Sequence, residues 1–181
     1  FIEFTDISDD MEYVVSDAEI IQVIIPSTFI EHYAHTMAPF INDKQLIFFN
    51  IAAAMASIRF INVLEDMRIE VMPIFAEVNT LTYGTRVNFD EAHVDLSLNV
   101  RKVHFSTYDK EHLSDSFDKI ETLYPYVVKE ESLWKTNLEN GNPEVHPGPT
   151  LLNVGRIDYA DDFALYEEGI TKHTVRLLHA V

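Results

Sequence analysis

The feature that most constrains the fold of this chain is an almost continuous apolar run, rich in β-branched residues, over positions 18–25, which Pro26 closes. Such a run is typical of a parallel strand buried on both faces. Further apolar runs over 45–50 and 68–75 repeat the pattern, and segments with helical spacing lie between them. This alternation predicts an α/β fold with a doubly wound sheet and right-handed crossovers.

Local signals predict the remaining elements. In the first half we predict a short strand over 2–5, a helix beginning near Met11, a helix over 29–40 capped by Ser27 or Thr28, and an Ala-rich helix over 51–65. Beyond residue 75 we predict strands over 82–89, 93–105 and 126–128 and helices over 109–123, 132–140, 163–169 and 171–181. The strand over 93–105 has Val94, Leu96, Leu98 and Val100 on one face. A Gly- and Pro-rich break over 140–149 follows, and we place a domain boundary between residues 137 and 138.

Composition excludes several classes of function. The chain has 30 acidic against 13 basic residues, a net charge of −17, and no basic run, which argues against a nucleic-acid partner. It has no cysteine, which excludes a disulfide framework and a thiolate metal site. No apolar stretch reaches the length of a membrane span, so we expect a cytoplasmic protein with no membrane partner. The chain begins with Phe1 and ends inside a helical pattern, and we expect it to be incomplete at both ends.

Two predicted strand ends carry residues suited to a ligand site. In open α/β sheets, ligands bind outside the carboxyl ends of the strands. Pro26 and Ser27 follow the first buried strand, and Asn50 follows the second, before small residues at 52–54 that would let a flat cofactor approach the backbone. The alternative is that the proline only ends a strand and the alanines only form a helix. A G-x-G-x-x-G turn is absent, so a complete nucleotide site is not expected from this chain.

His146 is the best candidate for a catalytic group. Imidazoles are common general acids and bases at neutral pH, and this one lies between Val145 and Pro147 on a rigid segment. Asn142, four residues earlier, is placed to share the face of His146 and to offer an amide to a substrate carbonyl or carboxylate. A structural or surface role is the alternative for any single histidine, and we assign that role to the other seven. His32 and His35 have no matching ligand pair nearby, so we predict no metal site.

A resemblance to a known family rests on several short motifs. They are N-x-x-x-H-P over 142–147, L-L-N over 151–153, G-R-I over 155–157 and Y-E-E-G-I-T over 166–171. Upstream, A-E over 76–77, T-L over 80–81, Y-G-T-R over 83–86, V-I-I-P over 23–26 and Asn50 continue the pattern. Together they resemble the NAD/NADP octopine (opine) dehydrogenase family along essentially the whole chain. Departures are Ala52 for a common glycine, Thr82 for proline and Thr85 for cysteine, which put the substrate in doubt more than the reaction class.

The resemblance implies a domain plan and an activity. Residues 1–137 would be the C-terminal part of the Rossmann-like NAD(P)-binding domain, and residues 138–181 the start of an all-helical catalytic domain. Opine dehydrogenases condense an amino acid with a 2-oxo acid and reduce the resulting imine with NAD(P)H, or run the reverse. His146 would be the general acid/base and Asn142 a substrate ligand, while the carboxylate that orients the histidine would lie beyond Val181.

The resemblance also implies cofactor and substrate contacts. Pro26, Ser27, Asn50 and Glu77 would bind NAD or NADP, and Thr80 and Thr85 would lie where the substrate cleft meets the nicotinamide. The expected partners are small-molecule substrates, with a homodimer as a candidate assembly. Two alternatives stay open: another two-domain dehydrogenase acting on a hydroxy acid or sugar phosphate, and a non-catalytic nucleotide-binding-like domain. The lack of a Lys/Arg cluster near His146 argues against a phosphate substrate.

Overall fold

The computed structural model describes residues 5–51 and 55–179, apart from the side chains at positions 99 and 144. The predicted strand over 2–5 lies almost wholly outside these residues, as does Ala52. The chain forms two compact units, Phe1–Glu139 and Asn140–Val181, which divide two residues after the predicted domain boundary. Within the described residues, no helix is long and apolar enough to cross a membrane.

The first unit is built on a five-stranded mixed sheet in the order β1-β2-β3-β6-β7. The strands are β1 Ile20–Val23, β2 Leu46–Phe49, β3 Ile74–Val78, β6 Val103–Thr107 and β7 Val127–Lys129. β1, β2 and β3 are mutually parallel, β6 runs antiparallel to β3, and β7 is parallel to β6. The carboxyl ends of β1, β2 and β3 therefore meet at one edge of the sheet.

Helices cover both faces of this sheet. They are α1 Met11–Val15, α2 Ile30–Met37, α3 Ala56–Asp66, α4 Leu113–Leu123 and α5 Leu133–Leu138. Along β2, Ile47 and Phe49 pack into one apolar cluster with α2 and α3, while Leu46 and Phe48 pack into a second cluster that includes Ile120 of α4. Alternate side chains of one strand point to opposite faces, so both faces of β2 are buried. The prediction of an α/β fold with a doubly wound sheet is confirmed.

Several predicted boundaries in this unit are wrong for local reasons. β3 begins at Ile74 and not at residue 68, because Arg68 has a positive φ of 58° and Pro73 has no N–H for the ladder. β1 is only partly buried, since it lies at an edge of the described sheet. The first turn of α2 has no side-chain cap from Ser27 or Thr28, which form a 3₁₀ turn instead.

A separate hairpin follows β3. It consists of β4 Tyr83–Asn88 and β5 His93–Asn99, so the strand predicted over 93–105 is in fact two strands, β5 and β6. Val94, Leu96 and Leu98 lie at alternate positions of β5, as predicted, but more than half of each side chain is exposed. The hairpin pairs only with itself among the described strands, so this face has no partner layer.

The second unit is all-helical. Its helices are α6 Asn142–Val145, α7 Pro147–Leu152, α8 Val154–Tyr159, α9 Leu165–Glu168 and α10 Lys172–Leu178. The predicted break over 140–149 is wrong, because prolines at the first turns of α6 and α7 fall where a helix needs no N–H from them. Thr171 caps α10 as predicted, in a reciprocal capping box with Thr174. The prediction of a sheet domain followed by helices is confirmed.

Candidate functional site

A cleft opens at the carboxyl ends of β1, β2 and β3. It has a volume of about 340 Å³, and its lining residues are Ile24, Ile25, Pro26, Ser27, Ile51 and Leu81. The walls are mostly apolar, with the Ser27 hydroxyl as a polar group. A flat, partly apolar ring fits such a lining, and this edge is where open α/β sheets bind ligands. The structure thus brings Pro26 and Ser27 to one cleft, as their prediction as cofactor-binding residues requires.

Asn50 supports the segments of chain that line this cleft. Its side chain is buried and bonds twice to Thr82: Nδ2 donates to Oγ1 at 2.9 Å, and Oδ1 accepts the Thr82 N–H at 3.2 Å. Its own N–H donates to the Val23 carbonyl at 3.0 Å. Asn50 therefore ties the ends of β1 and β2 to the segment that carries Leu81. The family pattern has proline where this chain has Thr82, and proline has no N–H. The hydrogen bond from the Thr82 N–H to Asn50 is therefore one that a proline at this position could not form.

Glu77 lies on β3 with only 1% of its surface exposed. Its Oε1 accepts the Ser57 N–H at 2.7 Å, and its Oε2 accepts from Asn137 Nδ2 at 3.1 Å. Asn137 Oδ1 in turn accepts the N–H of Met55, the residue before α3, at 2.8 Å. Glu77 and Asn137 thus satisfy free N–H groups at the start of α3. This placement favours a structural role for Glu77, and its direct contact with a cofactor stays a prediction.

Thr80 and Thr85 are not among the residues that line the cleft. Thr80 is half-buried in the segment after β3. Thr85 is exposed on β4, opposite Leu96 and beside an irregularity in the pairing at Gly84. Their predicted contact with substrate stays a prediction.

In the second unit, His146 is hydrogen-bonded through both ring nitrogens. It lies at the junction of α6 and α7, with helical dihedral angles. Nε2 lies 2.9 Å from Oδ1 of Asn142, and Nδ1 contacts the hydroxyl of Tyr166 on α9. Because Asn142 Oδ1 can only accept, Nε2 carries the proton in the neutral ring, and Nδ1 accepts from Tyr166. This arrangement fixes both the orientation and the tautomer of the imidazole.

Tyr166 was not predicted as a site residue. Its ring meets the His146 ring edge to face, with centroids 5.4 Å apart, and its side chain remains half exposed. The sequence signal was only its presence in the Y-E-E-G-I-T motif, twenty positions from His146. Asn142, predicted as a substrate ligand, instead bonds to the histidine here. A substrate atom can reach a ring nitrogen only by replacing Asn142 or Tyr166.

A polar contact holds the Tyr166 helix near the His146 helix. Nδ2 of Asn153, at the end of α7, donates to the carbonyls of Pro149 at 2.8 Å and Gly169 at 3.0 Å. Gly169 ends α9, and a Cβ at this position would approach the Leu165 carbonyl oxygen to 2.5 Å. Only glycine fits without a shift of backbone. Asn153 and Gly169 therefore set the distance between the helices that carry the two bonded side chains.

Sequence comparison shows that the segment around His146 is similar to a known family. Residues 129–181 match the sequence profile of the NAD/NADP octopine/nopaline dehydrogenase alpha-helical domain. This segment is therefore similar to the helical domain of that family. The matched segment contains Asn142, His146 and Tyr166, and it begins eleven residues before the all-helical unit does. The description of this family names NAD and NADP, the cofactors that the resemblance implies.

Individual relatives agree with this assignment. An opine dehydrogenase of Arthrobacter sp. (strain 1C) is 27% identical over 167 residues, which cover 91% of this chain and 45% of that protein. The structure of octopine dehydrogenase with NADH and L-arginine matches with a TM-score of 0.73 and 18% identity, over 95% of this chain and 43% of that one. Yersinopine dehydrogenase without ligand matches with a TM-score of 0.71 and 10% identity, over 94% and 43%. The chain thus spans less than half the length of these relatives, and the structural matches show a shared fold.

Proposed function

We propose that this chain is the part of an NAD(P)-dependent opine-type dehydrogenase that contains its general acid/base, His146. The observation that carries the proposal is the imidazole held by Asn142 and Tyr166 within the segment that matches the family's helical domain. The reaction joins the amine of an amino acid to a 2-oxo acid with loss of water, and the imine is then reduced to a secondary amine. The reverse reaction cleaves the opine by oxidation.

The cleft at the ends of β1, β2 and β3 suits the nicotinamide end of the cofactor. When bound, NAD(P)H supplies the hydride for the reduction. Pro26 and Ser27 are the residues of this chain that we propose to contact it, and Asn50 keeps the opposite wall in place through Thr82. The Gly-rich turn that grips the pyrophosphate in nucleotide-binding domains is absent from this sequence.

His146 would move the protons that the condensation and reduction require. The neutral ring accepts a proton from the ammonium group of the amino acid, which frees the amine to attack the 2-oxo acid, and the charged ring returns a proton when water leaves. The Tyr166 hydroxyl can donate to Nδ1 of the neutral ring and accept from Nδ1–H of the charged ring, so it supports both states. Asn142 holds Nε2–H only until a substrate atom replaces it, because the ring would then exchange its proton with the substrate at Nε2. We propose that Tyr166 positions the histidine, while the substrate contact predicted for Asn142 requires it to release the ring.

The decisive experiment uses the full-length protein with amino acids, pyruvate and NADH or NADPH. Mass spectrometry should detect a secondary amine formed from the two carbon substrates, which neither a hydroxy-acid dehydrogenase nor a non-catalytic domain would produce. His146→Ala should lower kcat by about 10² to 10⁴-fold, the usual contribution of a general acid/base. His173→Ala is the matched control, since His173 is an exposed histidine of the same unit, on α10. A folded His146→Ala variant that keeps most of its kcat would mean that the catalytic assignment is wrong.

A further inference from the structure

Three side chains that are distant in sequence converge on one point in the first unit. His104 lies on β6, Glu130 directly follows β7, and Glu139 caps the end of α5. One ligand atom from each residue, the His104 ring nitrogen and a carboxylate oxygen from each glutamate, lies within 4.8 Å of the other two. His104 Nδ1 is 3.1 Å from Glu139 Oε2 and 3.7 Å from Glu130 Oε2. Neither the cleft nor the His146 network includes these residues.

Their spacing matches the coordination sphere of a transition metal. With zinc bonds of about 2.0 to 2.2 Å to nitrogen and oxygen, neighbouring ligand atoms of a tetrahedral site lie about 3.3 to 3.6 Å apart. The two measured distances, 3.1 and 3.7 Å, fall on either side of that range. An imidazole with two carboxylates is also a ligand set that zinc binds in proteins, with a fourth position left to water.

The state of the histidine nitrogen is the second observation. His104 Nδ1 is buried and has no hydrogen-bond partner within the described residues, because its contact with Glu139 lacks hydrogen-bond geometry. A buried polar atom without a partner destabilises the fold, whereas a bound cation would use its lone pair.

The backbone holds each ligand in place. The His104 N–H donates to Asn79 Oδ1 at 2.9 Å, and the Glu130 N–H donates to the Phe105 carbonyl at 2.8 Å. The Glu139 N–H closes the last turn of α5 on the Lys135 carbonyl at 2.9 Å. We infer that His104, Glu130 and Glu139 form a binding site for a divalent transition metal such as Zn²⁺, which fastens the end of α5 to β6 and the end of β7.

Lys135 supplies a sharp test, because its ammonium group already neutralises this cluster. Its Nζ bonds to Glu130 Oε2 and lies 3.7 Å from Glu139 Oε1, and half of its side chain is exposed. A metal ion must displace this ammonium group toward solvent. Lys135→Met removes the competing charge and keeps the length of the side chain, so it should tighten Zn²⁺ binding. A cluster that served only as an ion-pair network would give no such gain.

The experiment is calorimetric titration of the chain with Zn²⁺, with thermal unfolding as a second measurement. Glu139→Gln should weaken binding at least about tenfold and abolish the rise in Tm that Zn²⁺ causes, while circular dichroism stays unchanged. His93→Asn is the matched control: its ring also contacts two carboxylates, Glu91 and Asp95, but through opposite nitrogens that cannot chelate one ion. Absence of Zn²⁺ binding, or equal affinity in the Glu139→Gln and wild-type chains, would overturn the inference.

Discussion

Replacing Glu77 with glutamine should destabilise the first unit strongly, although the two side chains have nearly the same shape. Glu77 accepts hydrogen bonds through both oxygens, from the Ser57 N–H at 2.7 Å and from Asn137 Nδ2 at 3.1 Å. A carboxamide has one oxygen and one NH₂ group, so one of these donors would face another donor. Leaving a buried donor unsatisfied costs about 1 to 3 kcal/mol. The variant also loses a negative charge at the N-terminus of α3, which adds about 1 kcal/mol.

The two terms give an expected loss of about 2 to 4 kcal/mol. For a unit of this size, that corresponds to a fall in Tm of roughly 4 to 16 °C. Urea unfolding and differential scanning calorimetry of the 181-residue chain measure both quantities. Glu65→Gln is the control, since Glu65 is an exposed glutamate on α3 itself and its replacement should change stability by no more than about 0.5 kcal/mol. Equal stability of the two variants would refute the capping role of Glu77.

This variant also separates the structural role of Glu77 from its predicted contact with the cofactor. In the full-length protein, a structural residue would lower Tm and leave the NAD(P)H dissociation constant of the folded enzyme nearly unchanged. A cofactor ligand would raise that constant with little change in Tm. A weaker NAD(P)H affinity at unchanged Tm would therefore support the direct contact between Glu77 and the cofactor that the family resemblance implies.

Two further predictions concern Tyr166 and the cofactor. Tyr166→Phe removes the hydroxyl that bonds to His146 Nδ1 but keeps the ring. Because such a hydrogen bond contributes a net of about 0.5 to 1.5 kcal/mol, kcat should be about 2- to 13-fold lower. An altered pH–rate profile at unchanged Tm would support a positioning role for Tyr166, and an unchanged profile and rate would contradict it. The 181-residue chain by itself should bind NADH poorly, because it lacks the Gly-rich turn that holds the pyrophosphate, and a micromolar dissociation constant in calorimetry would refute this.

The sequence predicts those parts of the fold that depend on neighbours along the chain. β2 and the core of β1 follow from apolar runs, α4 follows from helical spacing, and the Thr171 cap follows from a hydroxyl before a helical segment. The same kind of local pattern gives a wrong prediction over 140–149. Proline there predicts that no helix forms, but prolines lie at the first turns of α6 and α7. Proline disrupts the middle of a helix, but it is well suited to the first turn, where its missing N–H is not needed.

The candidate site is predicted by sequence only in part, for a similar reason. His146 and Asn142 are predicted as a pair because they are only four residues apart, and Pro26 and Ser27 follow from the rule for strand ends. The role of Tyr166 depends on how α9 packs near α7, which Asn153 and Gly169 decide. The resemblance implies a carboxylate that orients His146, expected beyond Val181. Within the described residues, the His146 ring contacts the amide of Asn142 and the hydroxyl of Tyr166.

By itself, then, the sequence determined the alternation of strands and helices, the resemblance to a family, and the candidate pair Asn142 and His146, because each depends on the pattern of residues along the chain. Only the tertiary structure decided that Glu77 meets Ser57 and Asn137, and that His104 meets Glu130 and Glu139 where the sequence predicted no metal site. Those contacts join residues 20 to 60 positions apart. They depend on which strands are neighbours in the sheet and where α5 packs against it, and local periodicity contains no information about either.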